Sequence, residues 1–359
     1  MRTKFLILVA ILMAGCLTTP YRHGFDESDV VAPAPYHVEW QEKPKDAAII
    51  PPGYSYELNI TIPRNLYPNY WNALEITIKN NGDTKLFVYN IAIEIDGKTF
   101  KQWDGNEGKE IGIGERKSFI ASFKVSYPGS YRYKIGVYFM AASRRWYDYG
   151  CKYTQEYEIS IDEYSEATNY KFHKNYYVYF DKIKKLVDPY DNIVKQRANI
   201  ASSGYGYGYN IAKVCAIFDY IKDNMKYVND TDGKDIWNSP SVALLNGGDC
   251  EEFAMTMAAM TMAKGGTARI YMTDNHAFAA IYIGKDLSIL DSIDSYYHAK
   301  LSYALFEDKL GYWIVADMLS SFYLGCLPVG GYATGESNNE RIYEWSIATN
   351  NLYAIDVVG

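Results

Sequence analysis

A thiol, an imidazole and a carboxylate follow one another in Asn246-Gly-Gly-Asp-Cys-Glu-Glu-Phe253, Asp274-Asn-His-Ala-Phe278 and Leu290-Asp291. These are the groups of a cysteine acyl-transfer site: a nucleophile, a base that takes its proton, and a third group that orients the base. The residues around Cys250 predict how the thiol is held. Gly247 and Gly248 make a flexible turn, and Asp249 with Glu252 three residues on has the pattern of a helix-capping box, followed by Phe253, Met255, Met257 and Met260. Cys250 is then the first residue of a helix that Gly265 and Gly266 close. Unpaired amides and the positive end of the helix dipole favour thiolate there, so a pKa well below the free-thiol value of about 8.5 is expected.

The partners need elements that aim at that helix start. His276 heads the apolar run Ala277 to Ile283, read as a buried strand, and Asp291 ends the run Leu287 to Leu290, read as the next one. In this arrangement His276 pairs with the thiolate and later protonates the leaving amine, while Asp291, with Asp294 as its nearby competitor, holds the imidazole's tautomer. Asp249 and Glu252 are structural caps. An oxyanion hole would combine the Cys250 backbone amide with a donor from Trp237 or Asn238, and the residues alone do not choose between those two. Cys215 flanks the stripe Ile211, Val214, Phe218, Ile221 and Met225, which marks an amphipathic helix and an inert core thiol. His298 lies in a polar stretch and reads as solvated.

The segment from about Asp188 to Tyr297 resembles the transglutaminase-like superfamily, a papain-related group of cysteine enzymes. The resemblance is carried by Gly248-Asp-Cys-Glu-Glu252, Gly265-Gly-Thr-Ala-Arg269, His276-Ala-Phe278 and Leu290-Asp-Ser292, with Trp237-Asn-Ser-Pro240 upstream. It departs from the family pattern at Phe278 for Trp, Glu252 for Asp and Ser292 for Pro, none of which removes a reacting group. The resemblance implies an α+β papain-like domain, a Cys250-His276-Asp291 triad, a thioester intermediate, and no metal or organic cofactor.

Arg2 and Lys4 precede the apolar run Phe5 to Met13, too short to span a bilayer, and Met13-Ala-Gly-Cys16 resembles a lipoprotein signal-peptidase box. Residues 1–15 are thus expected to be a signal peptide and Cys16 the lipid attachment site, the two chains of a diacylglyceryl group giving a durable membrane anchor; the alternative is an uncleaved signal anchor. Either puts the body outside the cytoplasm. A net charge of −7 without a basic run argues against a nucleic-acid partner. Cys151, Cys215 and Cys326 allow at most one disulfide among themselves.

The 359 residues suffice for two domains. Prolines 20, 33, 35, 44 and 51 make residues 16–50 an extended tether. Period-two alternation over residues 51–162, with turns such as Asn80-Asn-Gly-Asp83 and Asp96-Gly97, predicts an all-β sandwich, and the Lys79–Asp83 turn resembles those of immunoglobulin-like surface modules. Residues 163–204 read as a helical connector with Asp188 as a helix cap, and Gly204–Asn210 as a mobile loop. The catalytic domain is expected over 205–325, while 326–359 carries no motif. The expected whole is a cell-surface thiol enzyme, a cysteine peptidase or amidase acting on protein or peptide, with the sandwich free to bind an envelope partner. The alternatives are a crosslinking transglutaminase, and a catalytically silent envelope-binding lipoprotein.

Overall fold

A computed structural model of the chain describes residues 24–230 and 235–358; the expected signal peptide and Cys16 lie outside these residues. The first domain is built from β1 (Gln41–Glu42), β2 (Tyr56–Thr61), β3 (Asn72–Asn80), β4 (Lys85–Ile95), β5 (Lys98–Lys101), β6 (Glu107–Ile111), β7 (Arg116–Phe123), β8 (Gly129–Ala142), β9 (Trp146–Tyr153) and β10 (Tyr157–Ile161). Strands β2-β3-β7 form one sheet and β1-β6-β4-β8-β10 the other, with β5 paired to β4 and β9 to β8. The chain passes from one sheet to the other after β3, after β6 and again after β7, the Greek-key connection of an immunoglobulin-like sandwich. The alternating residues Leu74, Ile76, Ile78, Ile91, Ile93, Phe119, Phe123, Ile135 and Val137 fill the space between the sheets, since every second side chain of a strand faces the same way. Asp96 and Gly97, at φ 51° and 67°, join β4 to β5 in the positive-φ pair that tight hairpins require.

The second domain comprises β11 (Lys171–Lys174), α1 (Tyr177–Leu186), α2 (Asn192–Ala201), α3 (Ile211–Asn224), α4 (Pro240–Asn246), α5 (Cys250–Ala263), β12 (Ala268–Met272), β13 (Ala277–Gly284), α6 (Ile289–Tyr297), β14 (Leu305–Asp308), β15 (Gly311–Ala316), β16 (Gly331–Gly335), β17 (Glu344–Ile347) and β18 (Asn351–Asp356). Its main sheet has the order β11-β18-β12-β13-β15-β14. Helix α5 is buried on every side from Glu252 to Thr261, which suits its uniformly apolar sequence, and it packs on β12 and β13. The fold is therefore an all-β sandwich followed by an α+β domain.

Several expectations are corrected. Leu287–Leu290 does not form a strand: Ile289, Leu290, Ile293 and Tyr297 are buried along one side of α6, the three-and-four spacing of a helix face. The connector contains β11 as well as two helices, and the cap of α2 is Asp191, whose Oδ1 accepts from the amides of Ile193 (2.8 Å) and Val194 (3.2 Å). Asp188 instead closes the preceding turn on Tyr190. Residues 326–359 supply β18, which lies between β11 and β12 within the main sheet, so this segment without motif is structurally central. The described part of the tether is a strap. Phe25 is buried, Val31, Tyr36 and Val38 donate backbone hydrogen bonds to Thr267, Ser292 and Ser295, and β1 pairs with β6 of the sandwich. Its prolines prevent regular structure, yet its amides find side-chain acceptors and its aromatic residues find the core. His298 is buried, stacked on Trp40 of the strap at 3.7 Å between ring centres, with Nε2 3.1 Å from Glu107. The glycine-tyrosine tract is held at both ends of its second half, by Lys213 Nζ on the Gly208 carbonyl and by Asn210 capping α3. Cys151, Cys215 and Cys326 are free.

The two domains share surfaces. Ala73 and Ile120 of the sandwich join the core of the second domain, Trp71 donates its amide to Ser302 at 2.8 Å, and Lys222 pairs with Glu75 at 2.8 Å. Within the main sheet, at the end of β18, Asp356 collects Arg269 Nε (2.7 Å), Lys174, Asn175 and the Phe25 amide, while Arg269 also stacks on Trp313 at 3.8 Å. Arg269 and Asp356 are both almost wholly buried, and removing either leaves the other's charge in the interior with only a less buried partner, Asp308 for Arg269 or Lys174 for Asp356. Asp356→Ala is therefore expected to destabilise the fold by about 3–5 kcal/mol, measured by chemical denaturation. Desolvation acts to raise the Asp356 pKa, but the Arg269 and Lys174 charges outweigh it and hold the carboxyl below its ordinary range. Its contribution to stability is accordingly present above the unfolded-state carboxyl pKa of about 3.9 and lost as pH falls through the lower folded value.

Candidate active site

Cys250 owes its position to two glycines. Gly247 has φ 89°, and a side chain there would bring Cβ to 2.4 Å from the Lys226 carbonyl oxygen; at Gly248 it would come to 2.5 Å from Glu252 Cβ. The chain can thus lie flat against the 226–228 segment, where Gly248 donates to Lys226 O and its carbonyl accepts from Val228 N. It turns at Asp249 into α5, with Cys250 as the first helical residue. The Glu252 carboxylate takes the Asp249 amide at 3.0 Å, the backward half of a capping box, and the Asn238 amide at 2.6 Å. Glu252 is almost fully buried and so ties three segments, α5, the approach to α4 and the glycine turn, into one unit.

His276 immediately precedes β13, and Asp317 immediately follows β15. The antiparallel register Ala279 with Ala316, continued one step, sets Asp317 opposite Phe278, so His276 is its diagonal neighbour on the same side. The contact is made: His276 Nε2 lies 2.8 Å from Asp317 Oδ2, with both side chains buried. Asp317 is itself fixed, Oδ1 accepting from the Leu319 amide at 3.1 Å and Oδ2 from the Val329 amide at 2.8 Å. The Ala277 N–H lies against the Cys250 sulfur, so the entrance to β13, where His276 sits, adjoins the start of α5. With Nε2–H directed at Asp317, Nδ1 is the ring nitrogen left to exchange a proton with Sγ.

The structure thus pairs His276 with Asp317 and not with Asp291. Asp291 lies on α6, is 73% exposed and pairs with Arg341. Asp294 is a structural carboxylate, bound by Tyr303 Oη at 2.6 Å, Arg341 at 2.9 Å and the Leu301 amide at 3.1 Å. The expected strand has a physical origin: Leu287–Leu290 is too short for its period to separate strand from helix. A signal for Asp317 was nevertheless present, because Tyr312–Val315 reads as a strand and Asp317 is the first carboxylate after it.

Of the two oxyanion candidates, Trp237 does not offer the expected free donor. Its indole N–H is engaged by Asp235 at 2.6 Å, its ring stacked on Tyr179 with Lys182 on one face at 3.8 Å; at Asn238 it is the backbone N–H that Glu252 engages. The Cys250 sulfur departs from expectation as well. It donates to Glu251 Oε2 at 3.0 Å, and burial together with that carboxylate pushes the thiol's pKa up, against the opposing effect of the Ala277 amide. Glu251, desolvated and next to Asp249, is itself raised to about 7. Donor atoms of Asp249, Cys250 and Glu251 lie within 4.8 Å of one another, close enough for one ion to bridge them.

Comparison with known proteins bears on the second domain most directly. Residues 199–318 match the model of the transglutaminase-like superfamily, a span that takes in Cys250, His276 and Asp317. No curated protein matches the chain. Among solved structures, a CARDB domain from Pyrococcus furiosus aligns at 15% identity over 32% of this chain and 95% of its own, with a TM-score of 0.23. The MG7-to-C-terminus portion of native alpha-2-macroglobulin from Escherichia coli aligns at 11% identity over 48% of this chain and 28% of its own, at 0.24. A protein from Archaeoglobus fulgidus aligns at 7% identity over 31% and 98%, at 0.19. A cysteine at the head of a buried helix, a histidine at a strand entrance and an ordered family match around both identify residues 199–318 as a domain of the transglutaminase-like superfamily.

Proposed function

We propose that the chain is a thiol enzyme acting on amide bonds, with Cys250 as nucleophile, His276 as the group that takes and returns its proton, and Asp317 as the orienting carboxylate. The observation that carries this reading is the His276–Asp317 hydrogen bond at 2.8 Å, made by side chains from two paired strands beside the Cys250 helix start. In the proposed cycle the thiol proton passes to His276 Nδ1 and the sulfur attacks the substrate carbonyl. His276 then protonates the leaving amine, and water, activated by the same imidazole, releases the acyl group from the thioester. Asp317 offsets the imidazolium charge. The Cys250 amide, at the unpaired start of α5, is one donor for the developing oxyanion.

Peptide or amide hydrolysis is the favoured outcome, since water requires no second binding site; a lysine amine as acceptor would make the same site a crosslinking transglutaminase. The proposed setting is the cell surface, with Cys16 lipidated and the sandwich available to an envelope partner. It rests on the Met13-Ala-Gly-Cys16 motif.

Turnover of a quenched peptide library, run in parallel with incorporation of a fluorescent primary amine into a glutamine peptide, tests the reaction class. Hydrolysis without amine incorporation, lost in Cys250→Ala, is the expected pattern; equal turnover by wild type and Cys250→Ala would reject the reading. Asp317→Asn should keep the fold and lower kcat by about 10³–10⁴-fold, because an amide can hold the wrong tautomer and cannot offset imidazolium. Asp291→Asn should leave kcat unchanged and cost at most about 1 kcal/mol, as an exposed pair does. Reversal of that order would return the role to α6. Intact-mass analysis of the membrane-extracted protein should show diacylglyceryl on Cys16 and none in Cys16→Ser; identical unlipidated N-termini in both would exclude the anchor.

A further inference from the structure

The contact least accounted for by a Cys-His-Asp mechanism is the one on the nucleophile itself. Cys250 Sγ donates to Glu251 Oε2 at 3.0 Å, and among the described residues this is its one side-chain hydrogen bond. Adjacent helical residues point about 100° apart, so such a contact needs the long Glu251 side chain to fold back over the thiol. Glu251 does so without compensation: no cation pairs with it among the described residues, and its nearest charged neighbour is the Asp249 carboxylate. The groups facing this pair are Asp249 from the helix cap, Tyr227 from the segment before α4, Tyr179 from α1 and the Ala277 amide from the entrance to β13. The Glu251 and Asp249 carboxylates oppose formation of a second negative charge on sulfur; the Ala277 amide favours it.

We propose that Glu251 is a gate on the nucleophile, holding Cys250 as a neutral thiol in the free enzyme and yielding it to His276 when substrate displaces the carboxylate. The inference rests on the assignment of Cys250 as nucleophile and concerns when that nucleophile becomes competent. In the resting state the S–H bond is intact and its hydrogen points at Oε2. Once the substrate carbonyl enters beside Sγ, the Glu251 side chain turns toward solvent and the thiol rotates to His276 Nδ1. The proton moves to that nitrogen, the electron pair stays on sulfur, and the resulting imidazolium is held by Asp317. No proton is gained or lost overall. The arrangement gives an exposed enzyme a thiol that resists alkylation and oxidation between turnovers, because thiolate and not thiol is the reactive species.

Site-resolved alkylation separates this from the alternatives. Full-length protein is treated with iodoacetamide across pH 5–10 and the modified fraction of the Cys250 peptide is followed by mass spectrometry. Wild-type Cys250 should react more slowly at pH 7 than N-acetylcysteine; faster reaction would overturn the gate. Glu251→Gln, which preserves shape and removes the charge, should raise the pH 7 rate by about tenfold or more, matching a downward shift of the reactivity midpoint by about one unit or more. Glu251→Ala should do the same, so the test survives if one variant folds poorly. An unchanged or reduced rate in a folded, turnover-competent Glu251 variant would overturn the gate and, if reduced, make Glu251 a base. Failure of the underlying assignment is distinct: there Cys250→Ala would retain turnover.

Discussion

The pairing of β13 with β15 is the constraint on which the site depends. Antiparallel strands place side chains by register, and a slip of one residue would turn Asp317 to the opposite face of the sheet and leave His276 without a partner. The register is held by what flanks it: β12 on the other side of β13, β14 beyond β15, and the buried Tyr282, Trp313 and Val315 side chains on one face of these strands. Helix α5 lies against the opposite face and delivers Cys250 to the same end of the sheet. The elements that carry Cys250, His276 and Asp317, residues widely separated in sequence, thus end near one another.

Electrostatically the site sets opposing influences around one sulfur. The helix start and the Ala277 amide favour thiolate, whereas burial and Glu251 favour thiol, and the second pair prevails in the free protein. Glu252, one residue further, is also pushed up to about 7 by burial, but its carboxylate is filled by the Asn238 and Asp249 amides and serves to fix the turn. Adjacent glutamates of one helix therefore have different work. One fixes the turn, and the other hydrogen-bonds the Cys250 sulfur.

How much of this was legible in the sequence follows from how local each signal is. The glycine turn, the cap at Asp249 and Glu252, and the strand after His276 are set within a few residues, and their patterns read directly. The sandwich was equally readable, because period-two alternation repeats in strand after strand. For Asp317 the strand before it was readable but the pairing with His276 was not, since that depends on β13 and β15 being neighbours across a helix and a hairpin partner, which no local pattern encodes. The same holds for β18, whose place between β11 and β12 is decided by tertiary pairing, and for the strap, whose prolines suggested an extended tether while its order comes from acceptors more than 200 residues away.

The central claim is that Asp317 fixes the His276 ring so that Nε2 carries the proton and Nδ1 faces the thiol. Nitrogen-15 NMR of histidine-labelled protein, with His276 assigned by its loss in His276→Gln, reads this directly from the ring shifts and the one-bond N–H coupling. The account predicts a neutral imidazole protonated at Nε2, with a downfield Nε2–H resonance that disappears in Asp317→Ala and persists in Asp291→Ala. A neutral ring protonated at Nδ1, or an Nε2–H signal indifferent to Asp317 and sensitive to Asp291, would contradict it.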